Sequence, residues 1–110
     1  MNIDKIPTQA FSVSIDPINI VETVPNGTIN RDSTATPAGH TGVVTYLWTK
    51  ESPSDPGVTL TNETTATVDI ELTGGNREVS QVVKLTADDD GTGETAIAYL
   101  TIYVQFGTPQ

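Results

Sequence analysis

Apolar and polar residues alternate with period two along most of the chain, the spacing of half-buried β-strands. Phe11, Val13 and Ile15 share one phase and Ser12 and Ser14 the other, until Asp16-Pro17 bends the chain. Residues 18–24 predict a short edge segment, closed by a turn at Pro25-Asn26-Gly27. Residues 28–36 predict a polar, weakly patterned strand, and residues 37–42 a loop. Val44, Tyr46 and Trp48 then alternate clearly, ahead of a loop over 52–57 punctuated by Pro53 and Pro56. Val58 and Leu60 mark a short strand, with a turn at Asn62-Glu63. Ala66, Val68, Ile70 and Leu72 form one face of the next strand, which ends at Gly74-Gly75-Asn76. The last two strands are the longest: Val79, Gln81, Val83, Leu85 and Ala87 line one face of the first, and Ala96, Ala98, Leu100, Ile102 and Val104 the inner face of the second. Between them, residues 88–93 read as a tight hairpin in which Asp and Gly supply positive φ.

Seven or eight strands at this spacing, with no helical pattern, predict an all-β sandwich of two antiparallel sheets joined by Greek-key connections. The alternation excludes a parallel sheet buried on both faces, whose strands are continuously apolar. Trp48 is expected at the centre of the core with Val68, Ile70, Leu85, Leu100 and Ile102. The whole chain, 1–110, reads as one domain, with a polar N-terminal lead over 1–10 and a frayed tail over 106–110.

Composition supports strands: Thr makes up about one residue in six, and β-branched side chains suit a pleated surface. At this length roughly two-thirds of the unfolded surface can be buried, enough for one core without staples. There are no cysteines, so disulfides, thiolate metal sites and cysteine nucleophiles are excluded. Fourteen acidic against five basic residues give a net charge of −9. Such a surface repels phosphate, which argues against nucleic acid and anionic membrane as partners. No apolar run is long enough for membrane insertion, and Met1–Ala10 lacks the pattern of a signal peptide.

Two stretches resemble known domains. Val44-Thr45-Tyr46-Leu47-Trp48 resembles the third strand of immunoglobulin-like and polycystic-kidney-disease-type (PKD) domains, in which a Tyr-x-Trp pair brings Trp to the core. Residues 83–91 followed by 96–104 resemble the closing hairpin of the same domains. The resemblance implies an immunoglobulin-like sandwich. The cysteine pair of antibody domains is absent, and Thr49-Lys50-Glu51-Ser52-Pro53 replaces the Asp-rich turn that follows Trp in many PKD domains. A short, acidic, Thr-rich, cysteine-free chain of this type also resembles the immunoglobulin-like domains of tailed-phage particles.

Candidate chemistry is sparse. A hydrolytic triad needs a His between an acid and a nucleophile, and the single His, His40, lies in the loop Gly39-His40-Thr41-Gly42. No catalytic residue is assigned and the chain reads as non-enzymatic. Asp88, Asp89 and Asp90 are oxygen ligands suited to Ca²⁺, but consecutive strand residues point to opposite faces and the spacing is not that of an EF-hand loop. They are read as turn formers, with no metal and no cofactor. Asn26-Gly27-Thr28 and Asn62-Glu63-Thr64 match the glycosylation pattern and are read as chance matches. Ile97, Tyr99 and Tyr103 share the outer face of the last strand, and Tyr is favoured at interfaces. They form the expected partner-binding surface, with the lead Asn2–Gln9 as a second candidate.

The function these features predict is a structural protein of the virion, a phage capsid decoration or accessory protein docked on a capsid or tail protein. It would be a monomer or small symmetric oligomer when free. The alternative is an extracellular or cell-surface adhesive or carbohydrate-associated module.

Overall fold

In the computed structural model, residues 11–108 are described, and they form eight strands without a helix. These are β1 (Ser12–Asp16), β2 (Asn19–Val24), β3 (Gly27–Ala38), β4 (Val44–Lys50), β5 (Val58–Thr61), β6 (Thr67–Gly74), β7 (Arg77–Asp89) and β8 (Thr95–Phe106). Two four-stranded sheets pack face to face, one in the order β1-β3-β6-β5 and the other β2-β8-β7-β4. The chain changes sheet after β1, β2, β3, β4 and β6, so only β5–β6 and β7–β8 are hairpins within a sheet. This is the expected sandwich with Greek-key crossing.

One pairing is parallel. β2 runs alongside β8, from Asn19 opposite Thr101 to Val24 opposite Phe106. β1 and β2 are one run of chain broken at Asp16-Pro17. The first half stays in the first sheet and the second crosses to the other without reversing. Parallel neighbours need a long connection, and here almost the whole domain lies between them. Ser33, fully buried on β3, donates its hydroxyl to the Pro17 carbonyl at 2.8 Å and fixes that crossing.

The core forms between the sheets from the in-phase residues. Trp48, Val68, Ile70, Leu85, Leu100 and Ile102 are all buried in one cluster, as the alternation predicts. Trp48 is anchored twice: its backbone N–H donates to Glu63 O and its indole Nε1–H to Thr65 O, both at 2.9 Å. A smaller cluster of Phe11, Ala87 and Ala96 closes one end.

The parallel β2–β8 pairing makes the second sheet mixed where two antiparallel sheets are expected, and three further details differ. β3 continues through Pro37 to Ala38, so the loop begins at Gly39. Pro37 is tolerated because the β6 ladder ends at Thr34–Thr67, with one bond beyond it from Ala35 N to Ala66 O, and leaves that side of β3 unpaired at Pro37. Phe106 is fully buried at the end of β8, opposite Val24 and Arg77, and does not belong to a frayed tail. In the β7–β8 hairpin the positive φ falls on Gly93, at 74°, and not on the Asp-Gly pair. The lead 1–10 lies outside the described residues.

Candidate docking face

The outer surfaces of the two sheets have opposite chemistry. On the first sheet the outward positions are polar except for Ala38 at the end of β3: Ser14 and Thr36, Asp32 and Asp69, Asn30 and Glu71 oppose each other across β1, β3 and β6. Thr28 pairs with Thr73 and Thr34 with Thr67 through hydroxyl hydrogen bonds of 2.9 Å. On the second sheet Ile97, Tyr99 and Tyr103 project outward from β8 and remain 45–49% exposed, as their phase predicts.

The sheet adds three side chains to them. Leu47 and Ile97 flank Thr86 in one row across β4, β7 and β8. Val82 lies opposite Thr101, between the rows of Tyr99 and Tyr103, and Val21 lies opposite Tyr103 on β2. Directly opposed side chains on such a face stand about 4.5–5.5 Å apart and diagonal ones about 7–8 Å, so Ile97, Tyr99, Val82, Tyr103 and Val21 form one diagonal apolar stripe, which Leu47 extends to β4 across Thr86. Each is at least 40% exposed. Lys84, between Thr49 and Tyr99, is the cation within the stripe. Tyr103 Oη donates to the Glu78 carboxylate, and that hydrogen bond, with the negative charge beside it, holds the phenol above its ordinary pKa.

Leu47, Val82 and Val21 escape a reading by alternation because each sits in an apolar doublet or triplet: Tyr46-Leu47-Trp48, Val82-Val83, Ile20-Val21. The inward neighbour accounts for the strand, and the out-of-phase residue is the one signal that the outer face is also apolar.

The carboxylates of Asp88–Asp90 accept hydrogen bonds from within the chain. Asp89 is buried, and its two carboxylate oxygens accept from the backbone N–H groups of Thr41, Gly42, Gly91 and Thr92 and from the Thr92 hydroxyl, at 2.9–3.2 Å. Asp90 Oδ1 accepts from Val43 N, and Asp88 accepts from the Thr95 hydroxyl. On Asp89 the five donors take up the lone pairs that a cation would need. Burial by itself raises the Asp89 pKa, but the bonds from Thr41, Gly91, Thr92 and Gly42 outweigh it, and the carboxyl stays well below its ordinary value. Among the described residues no group of three or more His, Asp or Glu side chains is placed to hold a metal.

This clasp ties the β7–β8 hairpin to the loop before β4, and it requires backbones in close approach. A Cβ on Gly42 would stand 2.5 Å from Gly91 N, and one on Gly91 would collide with the Gly42 amide. Gly42→Ala or Gly91→Ala is therefore expected to cost ~1–3 kcal/mol in urea unfolding, as overpacking does. Gly75→Ala, which meets nothing within 4 Å, should leave the midpoint within about 0.5 kcal/mol of the parent.

The clefts hold structural polar groups. An open cleft of about 460 Å³ between β4 and β5 is lined by Trp48, Lys50, Pro56, Val58, Leu60 and Glu63, and Lys50 Nζ is committed to the carbonyls of Asp55 and Val58. Arg31 pairs with Glu22 at 2.6 Å beside a second cleft, and Arg77 with Asp55 at 2.7 Å beside a third. Asp55 also accepts from Gly57 N and Ser80 N. Together with Arg77, these bonds outweigh burial and lower its pKa. Gln81, buried on β7, completes this pinning by accepting from Asp55 N and donating to Glu51 O. His40 is exposed on its loop.

Solved structures give the fold its place. The chain is similar to the PKD domain (residues 329–428) of human KIAA0319, with a TM-score of 0.57 and 17% identity over 91% of this chain and 83% of that one. The fold is that of a PKD-type, immunoglobulin-like sandwich. A chimeric titin Z1Z2 also matches this sandwich, with a TM-score of 0.51 and 14% identity over 86% of this chain and 94% of that one. So does part of a nucleoside hydrolase-related hypothetical protein from Saccharophagus degradans described as associated with carbohydrate metabolism, with a TM-score of 0.53 and 16% identity. That match covers 79% of this chain, and the PKD-type sandwich spans only 22% of the Saccharophagus protein. No protein-family model and no curated protein matches the chain.

Proposed function

We propose that this PKD-type sandwich is a non-catalytic docking module of a virus particle, a phage capsid decoration or accessory protein that seats the outer face of its second sheet on a capsid or tail protein. The observation that carries the reading is the stripe of Leu47, Ile97, Tyr99, Val82, Tyr103 and Val21, apolar and nearly free of charge on a molecule of net charge −9. Exposed aromatic and aliphatic side chains grouped on a rigid sheet supply contact area at low entropic cost. A repeating shell would add many such contacts through effective concentration. The resemblance of this short, acidic, Thr-rich, cysteine-free chain to the immunoglobulin-like domains of tailed-phage particles supports the virion setting.

A second reading has one observation behind it. The similarity to part of the longer Saccharophagus protein fits an extracellular or cell-surface module that accompanies carbohydrate-active or adhesive domains.

Co-sedimentation separates the two. Undecorated particles are incubated with the full chain, with a chain lacking residues 2–9, and with Tyr99→Ala/Tyr103→Ala, then pelleted. The double variant is expected to lose most of its binding while its melting curve stays close to the parent's, since both side chains are half exposed. Equal pelleting of all three chains rules out both the face and the lead as contacts. Binding to glycans or cells with none to particles selects the second reading.

A further inference from the structure

We propose that two copies of the chain pair through the edge of β4, which no strand among the described residues covers, antiparallel and centred on Thr45, joining two second sheets into one eight-stranded sheet. The proposal does not depend on what the apolar face docks on.

An exposed sheet edge is a template for another strand, and proteins blunt it with charge, proline, shortness or a cover. Three of the four edges here are blunted. β1 has five residues and ends at Asp16-Pro17; β2 lies between Pro17 and Pro25, tied to β3 by the Glu22–Arg31 pair; β5 has four residues between Pro56 and Asn62-Glu63. β4 is the exception. Val43-Val44-Thr45-Tyr46-Leu47 carries no charge and no proline, and no acidic residue occurs between Asp32 and Glu51. The strand itself brings no acid to the edge; the nearest are Asp88, opposite Thr45 on β7, and Glu63, whose carbonyl accepts from Trp48 N, so pairing there is opposed by their charge at low salt.

The backbone phase fits self-pairing. Val43 O faces β7 and accepts from Asp90 N, whereas Trp48 N faces away and donates to Glu63 O. N–H and C=O alternate sides along a strand, so Val44 and Tyr46, in phase with Trp48, present theirs to the free edge. Pairing about Thr45 sets Val44 against Tyr46 of the other copy, and the reverse, as two hydrogen-bonded pairs that exchange four bonds. On the outer face it sets Val43, 66% exposed, against Leu47, 47% exposed, in both copies. The segment is thus complementary to itself in both backbone and side chains, as a two-fold interface requires.

The chain lacks cysteine, which permits a direct test. At the two-fold, Thr45 would face its own copy as a non-hydrogen-bonded pair with Cα atoms about 4.5 Å apart, within disulfide reach. Thr45→Cys should form a disulfide dimer at least about tenfold faster than Thr59→Cys, another exposed strand position on the other sheet. Thr45→Lys, which opposes two like charges, should raise the dimer dissociation constant at least about tenfold, equivalent to ~1.4 kcal/mol. Sedimentation of the parent should show a dimer that strengthens with salt as the net charge is screened. Equal cross-linking of the two cysteine variants, unchanged association of Thr45→Lys, or a parent that remains monomeric to about 1 mM each overturns the proposal. If Thr45→Lys fails to fold, judged by its melting curve, the cysteine pair decides.

Discussion

Trp48→Ala is expected to destabilise the domain by ~3–5 kcal/mol, a large share of the 5–15 kcal/mol typical of a small domain. The indole is 1% exposed and is the largest side chain in the main core cluster, so truncation leaves a void that the flanking sheets cannot close. It also removes the donor for Thr65 O, which ties the loop between β5 and β6 to β4. Trp48→Phe divides the two effects: it keeps most of the apolar volume and loses the hydrogen bond, whose net worth is about 0.5–1.5 kcal/mol. Urea unfolding of both variants checks the ranking. A Trp48→Ala midpoint equal to the parent's would mean that Trp48 does not face the core.

Asp89→Ala should be the most damaging substitution among the carboxylates, lowering the melting midpoint by ~10 °C or more, because five donors lose their acceptor together. The pH dependence follows from the lowered pKa. An unfolded aspartate titrates near 3.8, whereas the folded group holds its charge to lower pH. The stabilisation is therefore complete above the unfolded value and is lost as pH falls below it toward the folded value. Asp55 and Glu22, also lowered by their arginine partners, act in the same direction. Parent and Asp89→Asn melting curves should thus converge on acidification below about pH 4. Millimolar Ca²⁺ should leave the parent's midpoint unchanged. A rise reversed by chelator would show that the aspartate turn takes a cation in preference to its backbone donors.

The alternation in β4, β6, β7 and β8 made the core legible because one face of each strand is buried and the residues there are large. β3 was harder to read. Its inward positions include Arg31, which reaches out to Glu22, and Ser33, which holds the Pro17 carbonyl, so a central strand carries a polar inner face for the sake of the crossing beside it. Gln81 kept the phase of its strand but hid its task, since the loop it pins is remote in sequence. The Asp89 clasp was invisible for the same reason: its donors Thr41 and Gly42 lie nearly fifty residues away. Half of the apolar stripe was legible on β8, where apolar residues occupy both phases over a long strand. The other half depended on knowing that β2, β8, β7 and β4 are neighbours in that order.

The parallel pairing of β2 with β8 also determines how the domain bears tension. Antiparallel hairpin strands pulled from their open end separate one bond at a time. In the β2–β8 pair, the end leading to the N-terminus and the end leading to the C-terminus lie at opposite ends of the ladder, from Asn19–Thr101 to Val24–Phe106. Once a pull along the chain has passed β1, it loads this ladder in shear, and its hydrogen bonds must fail together. A module held by one terminus and dragged by the other would resist through those six residue pairs, with Phe106 buried at the last of them.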